Sequence, residues 1–289
     1  MLVFELIDYE GPSLIRQQVF DFLLAHEYKC VSLMSHFLKN DTRIYYIIDE
    51  KNKLWAVFSI SEGGQIMHCI SDDSVLRTLK EFFSVNRPQR LFNIIGEKRY
   101  TDEIEKIFLA LFGTVPKTAN EYNLMRYDKE AAENAAQSAA FQKNDFTEGC
   151  EVLSCTDSDF EQIFPIQKAY ELEEVVVDKK QFNEKHCRIL LRRNIQHGNV
   201  FVVKKDSKIV GKASINAKGE NCIQLGGVFT ELAFRNRGVA TFLVKNLTRQ
   251  FKNEGKRIVL FVKKSNTVAA NVYKSCGFDS FAEYKITYY

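Results

Sequence analysis

The chain has 289 residues, 45% hydrophobic and 12% aromatic, which is enough for two domains with real cores. A net charge of +3 and only short basic runs such as Lys263-Lys264 exclude a general polyanion or nucleic-acid partner. The five histidines form no H-x-x-x-H or Cys/His cluster, so no metal site is expected, and no apolar run approaches membrane-spanning length. The start, MLVFELIDYE, has neither the basic opening nor the cleavage site of a signal peptide. The seven cysteines form no C-x-x-C pair and read as reduced thiols, so a cytoplasmic protein is expected.

Residues 2–7 read as a short strand, and Gly11-Pro12-Ser13 as a turn opening a helix with Ile15, Val19, Phe22 and Leu23 inward. A second helix runs from Glu27 to Leu38. Strands follow at Arg43–Asp49, Leu54–Ile60 and Gln65–Ile70. Asp72-Asp73 open a helix carrying Val75, Leu76, Leu79 and Phe82 or Phe83. Leu91–Ile95 is a strand, Ile104 to Leu111 a helix ended by Gly113, and Glu121–Tyr127 a strand. Residues 129–149 are Ala-rich and polar, without a clear apolar stripe except Phe141, and read as the linker between the halves, either an exposed helix or a flexible segment.

The same order then recurs. Val152–Cys155 is a strand, Asp157 caps a helix reaching about Glu174, and Lys179–Gln196 is another helix. Strands follow at 200–205, 208–217 and 222–230. A turn, Arg235-Asn236-Arg237-Gly238, leads into a helix with Val239, Phe242, Leu243, Leu247 and Phe251 on one stripe. Gly255 stops it, and Arg257–Val262 is a strand. Strand, turn, helix, strand is the pattern of a crossover between parallel strands. The recurrence predicts two copies of one α/β fold: 1–128, a linker at 129–149, and 150–289.

The turn at 235–238 carries the chemistry. The first N–H groups of a helix lack intrahelical partners and sit at the positive end of its dipole. Gly238 and the small Ala240 let an anion approach that backbone, and Arg235 and Arg237 add charge. Such a cradle suits a pyrophosphate; the plain alternative is a helix start that needed a glycine. Downstream, Asn266, Ala269, Tyr273 and Gly277-Phe278 read N-x-x-A-x-x-x-Y-x-x-x-G-F. On a helix, Asn266 and Tyr273 share a face about 10 Å apart along the axis.

These two motifs, in this order and separation, resemble the GNAT acyltransferase superfamily. The resemblance is strong over 150–289, and 1–128 resembles a degenerate second copy. It implies two GNAT-like domains, each a mixed, mostly antiparallel sheet flanked by helices. It also implies acetyl-CoA as co-substrate and an amine acceptor, with one active site. By resemblance, Asn236, Arg237, Gly238, Val239, Ala240 and Thr241, with Arg235, hold the pyrophosphate. The backbone of Val228, Phe229 and Thr230 pairs with the pantetheine arm. Asn266 and Ala269 contact the cofactor, and Tyr273 is the general acid. Gly226-Gly227 marks a bulge that opens the sheet there.

Two departures stand out. The position that is a glutamate base in several family members is Phe261 here. Other residues for the acceptor side are Tyr170, Glu173, Glu174 and Glu231, although Glu173 and Glu174 also read as a solvated helix face. In the first half the cradle position is Cys69-Ile70-Ser71-Asp72-Asp73-Ser74, with no glycine and two carboxylates, so that half is expected not to bind CoA. Two rival functions remain open: a non-catalytic acyl-CoA sensor on the same fold, and a structural protein docking a partner through 1–128.

Overall fold

The computed structural model describes residues 1–6, 14–128, 130–133, 145–176 and 179–289. The expected turn at 11–13 and most of the expected linker lie outside these residues. Strands β1 (Leu2–Glu5), β2 (Arg43–Ile48), β3 (Leu54–Ile60), β4 (Gln65–Ile70), β5 (Asn93–Glu97) and β6 (Thr118–Tyr127) come from the first half. The second half supplies β7 (Glu151–Ser154), β8 (Val200–Lys205), β9 (Lys208–Lys218), β10 (Cys222–Thr230), β11 (Arg257–Lys263) and β12 (Phe278–Tyr288). The helices are α1 (Leu14–Ala25), α2 (Glu27–Lys39), α3 (Leu76–Val85), α4 (Lys98–Phe112), α5 (Phe160–Tyr170), α6 (Glu184–Gln196), α7 (Val239–Asn253) and α8 (Thr267–Ser275).

Local chemistry explains where these elements differ from expectation. The helix expected from Asp157 starts later. Thr156 and Asp159 form a reciprocal capping box over one 3₁₀ turn, and α5 begins at Phe160. Its far end widens into a π turn at Glu171–Val175. The helix expected at 179–196 is broken before Asn183, whose side chain accepts the His186 N–H and so caps α6. Asn266 is not inside its helix; its Oδ1 accepts the Ala269 N–H at 3.0 Å, making it the cap of α8.

Among the described residues, twelve strands form one sheet in the order β1-β2-β3-β4-β5-β12-β6-β11-β10-β9-β8-β7. Two pairings, β4–β5 and β10–β11, are parallel, and the other neighbours are antiparallel. Strand β12, which the sequence pattern left unassigned, inserts between β5 and β6. The last strand of each half therefore completes the sheet of the other. Central strands are buried on both faces, which is why Ile258, Val259 and Leu260 run apolar without alternation. The stripe Leu243, Leu247 and Phe251 of α7 is buried beside Ile258 and Leu260. Truncating Leu247 there costs about 2–5 kcal/mol.

Helix α2 of the first half packs across the seam on β9 and β10. Its Glu27 carboxylate is fully buried. Oε1 accepts the N–H of Asn221 at 2.9 Å and of Cys222 at 3.2 Å, and Oε2 pairs with Arg257 at 3.0 Å. A buried charge persists only with such partners, so removing one of them costs about 3–5 kcal/mol.

Candidate active site

Strands β10 and β11 pair in parallel only from Cys222↔Arg257 to Leu225↔Leu260. Beyond that both continue unpaired with each other, which opens a V between them. On its other side β10 follows β9 with an irregularity between Gly226 and Phe229. Gly227 is left-handed there (φ 56), and a Cβ on Gly226 would lie 2.0 Å from the Asn216 amide. These two constraints explain the paired glycines. Glu231 donates its N–H to Val210 O, and Phe229 lies opposite Lys212. Strand alternation then turns the N–H of Thr230 away from β9, into the V.

The V widens into a groove of about 820 Å³. Its wall at one end is the turn before α7. Asn236 (φ 60) and Gly238 (φ 76) are both left-handed, which folds successive N–H groups into a concave nest. Gly238 is the cap of α7 and offers no side chain, so the N–H groups of Val239, Ala240 and Thr241 have no intrahelical or capping acceptor. The opposite wall is the start of α8. Val228, Phe229, Thr230, Arg235, Asn236, Gly238, Val239, Ala240, Thr241, Asn266, Ala269 and Tyr273 all line the one groove.

Other expected residues are placed differently. Arg237 is absent from the lining; its guanidinium lies over the rings of Phe146 (5.1 Å) and Phe234 (5.8 Å). Arg235 lines the groove but is engaged, donating to Glu173 Oε2 at 2.8 Å and to Thr230 O at 3.3 Å. Glu173 and Glu174 line the groove from the π turn. Glu174 accepts from Asn266 Nδ2 at 3.1 Å and pairs with Lys263 at 3.6 Å. Glu231 lies outside the groove; it pairs with Lys208 at 3.5 Å and borders a separate depression beside Pro165 and Leu232. Tyr170 is packed behind the wall, edge-on to Phe229 at 5.9 Å.

Tyr273 is buried, with its ring edge-on to Phe278 at 6.3 Å. Burial, with smaller contributions from Tyr170, Cys276 and Glu174, pushes its hydroxyl above the ordinary tyrosine range, so it keeps its proton at neutral pH. Phe261, at the position where a base was sought, stacks on Tyr284 at 4.2 Å.

One residue was not singled out from the sequence. Lys212 on β9 is 1% exposed. Its Nζ donates to Gly227 O at 3.0 Å and sits 4.3 Å from the centre of the Tyr170 ring. Among the described residues no carboxylate is within ion-pair distance of it. Burial lowers its pKa to about 8. The only sequence signal was a lysine inside an otherwise apolar strand run, IVGKASI.

The first half has the same V but fills it. Pairing of β4 with β5 ends at Met67↔Ile95, and the next residue is His68, where the second half has Gly226. The His68 ring packs on Gly96, where a Cβ would lie 2.2 Å from it, and Nε2 bonds Thr101 Oγ1 at 2.9 Å. Burial lowers the His68 pKa to about 3, so the ring is neutral. Asp72 caps the following helix through the Ser74 N–H at 2.9 Å, and Asp73 pairs with Arg99. Among the described residues no cluster of three or more His, Cys, Asp or Glu side chains could hold a metal, and no helix is long and apolar enough to cross a membrane.

The splayed parallel strand pair and the glycine-capped helix at its mouth both lie within residues 163–278. Residues 163–278 match the model of the Acetyltransferase (GNAT) family, so that part of the chain carries a GNAT domain. No significant match was found among curated proteins. Among solved structures, the chain is similar to a GNAT-family acetyltransferase from Colwellia psychrerythraea (10% identity, 100% of this chain and 99% of that one, TM-score 0.57). It is also similar to a tandem GNAT protein from the clavulanic acid biosynthesis pathway (12% identity, 99% and 97%, TM-score 0.58). A third similar structure is a Drosophila protein (10% identity, 96% and 88%, TM-score 0.60). At these identities the likeness establishes the fold, here a tandem of two GNAT-like units. The family and fold suggest acyl-CoA-dependent acetyltransferase activity.

Proposed function

We propose that the protein is an acetyl-CoA-dependent N-acetyltransferase with one active site, in the second half. The observation that carries this reading is the convergence of three features on one groove: a glycine-capped helix start, a free strand edge and a buried tyrosine. The residues fit the co-substrate. The pyrophosphate would take the N–H groups of the 236–241 turn, and the pantetheine amides would add to the edge at Val228 and Thr230 as an extra strand. Arg235 would exchange Glu173 for phosphate. Asn266 and Ala269 would border the arm at the start of α8.

In the reaction, the nitrogen of a neutral amine attacks the thioester carbonyl carbon. The C–N bond forms and the carbonyl electrons move to oxygen. The oxyanion collapses, the C–S bond breaks, and sulfur takes the proton of the Tyr273 hydroxyl. The excess proton on nitrogen leaves to solvent, and the Tyr273 phenolate takes a proton back from solvent, which closes the cycle. Burial raises the Tyr273 pKa, which keeps the hydroxyl protonated at neutral pH, so the proton is present when sulfur departs. His68 and Gly96 closing the other V support a single CoA site per chain, which calorimetric stoichiometry reads directly.

The second reading, an acyl-CoA sensor, is favoured by one observation. Both carboxylates lining the groove, Glu173 and Glu174, are already ion-paired, and Phe261 replaces a base. A screen of amine acceptors with acetyl-CoA, following free thiol release, separates the two. Acceptor-dependent release establishes the transferase. Tight CoA binding with no release from any acceptor and no hydrolysis above buffer establishes the sensor.

A further inference from the structure

We infer that Lys212 is a positioning residue for acyl transfer: its ammonium grips the Gly227 carbonyl and so aims the Val228 N–H at the place where the thioester oxygen becomes an oxyanion. The inference rests on the acetyltransferase reading above.

The geometry runs from one peptide plane. The C=O of Gly227 and the N–H of Val228 belong to the same planar trans unit and point in opposite directions. Lys212 Nζ holds the C=O at 3.0 Å on one side of β10. The N–H therefore points to the other, where Val228 lines the groove and Lys212 does not. This peptide needs holding. It lies in the interval where β10 slips register against β9, after the β11 pairing has stopped, so no ladder fixes it. Gly227 is left-handed and free of side-chain restraint, the residue type most able to flip its peptide. A fixed donor lowers a barrier more than one that must reorganise.

The lysine is built in. A Cβ on Gly227 would lie 3.0 Å from Nζ, so the glycine and the lysine fit each other. Helix α5 covers the ammonium with the Tyr170 ring, whose π face accepts a cation. The titratable groups facing it are Tyr170 on α5, Glu171 on the π turn, Cys187 on α6 and Cys155 after β7. Burial pushes both thiols up, Cys187 to about 11 and Cys155 to about 12, and Tyr170 also upward, so all three are neutral near pH 8. Glu171 acts from a distance and favours the charged lysine. Lysine itself, with its pKa lowered to about 8, loses its charge and its strongest grip just above neutrality.

The test is Lys212→Met in the full chain, which keeps the stem and removes the ammonium. Expected are wild-type CoA affinity and an unchanged KM for acetyl-CoA, with kcat for thiol release about 10- to 100-fold lower, a fraction of the loss when an oxyanion donor is deleted outright. The wild-type rate should fall above a midpoint near pH 8, and the variant should lack that limb. Bound acetyl-CoA labelled with ¹³C at the carbonyl should show a lower stretching frequency in the wild type than in the variant. Equal kcat, equal pH profile or equal carbonyl frequency overturns the inference. If the methionine variant does not fold, the wild type decides: the ¹⁵N signal of the Lys212 amine must titrate with the midpoint of the kinetic limb, and a different midpoint overturns it. A wild type that binds acetyl-CoA but never cleaves it removes the transferase reading, and this inference with it. A wild type that turns over beside an unimpaired variant removes this inference alone.

Discussion

Tyr273→Phe separates a catalytic hydroxyl from a core ring. The substitution deletes one oxygen and leaves the ring against Phe278, inside a cluster that includes Leu243, Leu260 and Cys276. Among the described residues no hydrogen-bond partner meets the Tyr273 hydroxyl, so its removal forfeits no bond. Tyr273 lines the groove, so its hydroxyl is not an enclosed orphan, and its loss predicts a melting temperature little changed. If the same hydroxyl protonates the departing sulfur, kcat falls by about 10²–10⁴. That corresponds to about 3–5 kcal/mol in the barrier. Stability and turnover should therefore move independently, with CoA affinity unchanged. Thermal melting, calorimetric titration with CoA and steady-state thiol release measure the three quantities on one preparation. Because the pKa of Tyr273 is raised, it should add no descending limb near neutral pH. Lost stability with intact turnover would refute the reasoning and make Tyr273 a core residue.

Gly238→Val should cut CoA affinity about 10- to 100-fold by calorimetry, because a β-branched residue at φ 76 is strained by about 1–3 kcal/mol and distorts the nest. Unchanged affinity would remove the turn from the site. Glu173→Gln frees Arg235 from a half-exposed pair worth about 0–1 kcal/mol, so CoA should bind up to about fivefold tighter at low salt. Weaker binding would mean that the pair organises the groove. His68 has a folded pKa of about 3, below its ordinary value, so the unfolded chain binds the extra proton. Its contribution is complete above about pH 6.5 and is lost as pH falls toward 3. His68→Gln should flatten urea-derived stability across that window, and an unchanged acid slope would contradict the neutral, buried ring.

Much of the frame was legible in residue order. Strand β11 is a β-branched run ended by Lys263-Lys264, and α7 is a stripe at three- and four-residue spacing stopped by Gly255; such patterns are local. The turn at 235–238 was legible for the same reason, since a left-handed cap calls for glycine whatever surrounds it. The doubled Gly226-Gly227 marked the irregularity in β10.

Tertiary structure alone decided the rest. The insertion of β12 between β5 and β6 joins residues far apart in sequence, and no local preference encodes which edge a strand takes. It follows from two half-sheets each needing a partner for an open edge. Arg237 and Arg235 look alike in sequence, yet Phe146 and Phe234 draw the first away while Glu173 holds the second over the groove. Lys212 reads as one more surface lysine until β10 bulges beside it and α5 closes over it. A lysine's pattern value is its charge, and its burial depends on what packs above the strand. The first half shows the same division. Asp72 and Asp73 were visible in the sequence and serve as ordinary helix-start chemistry, whereas the V is filled by His68, a residue whose ring is placed by Gly96 and Thr101 from elements some 30 residues downstream.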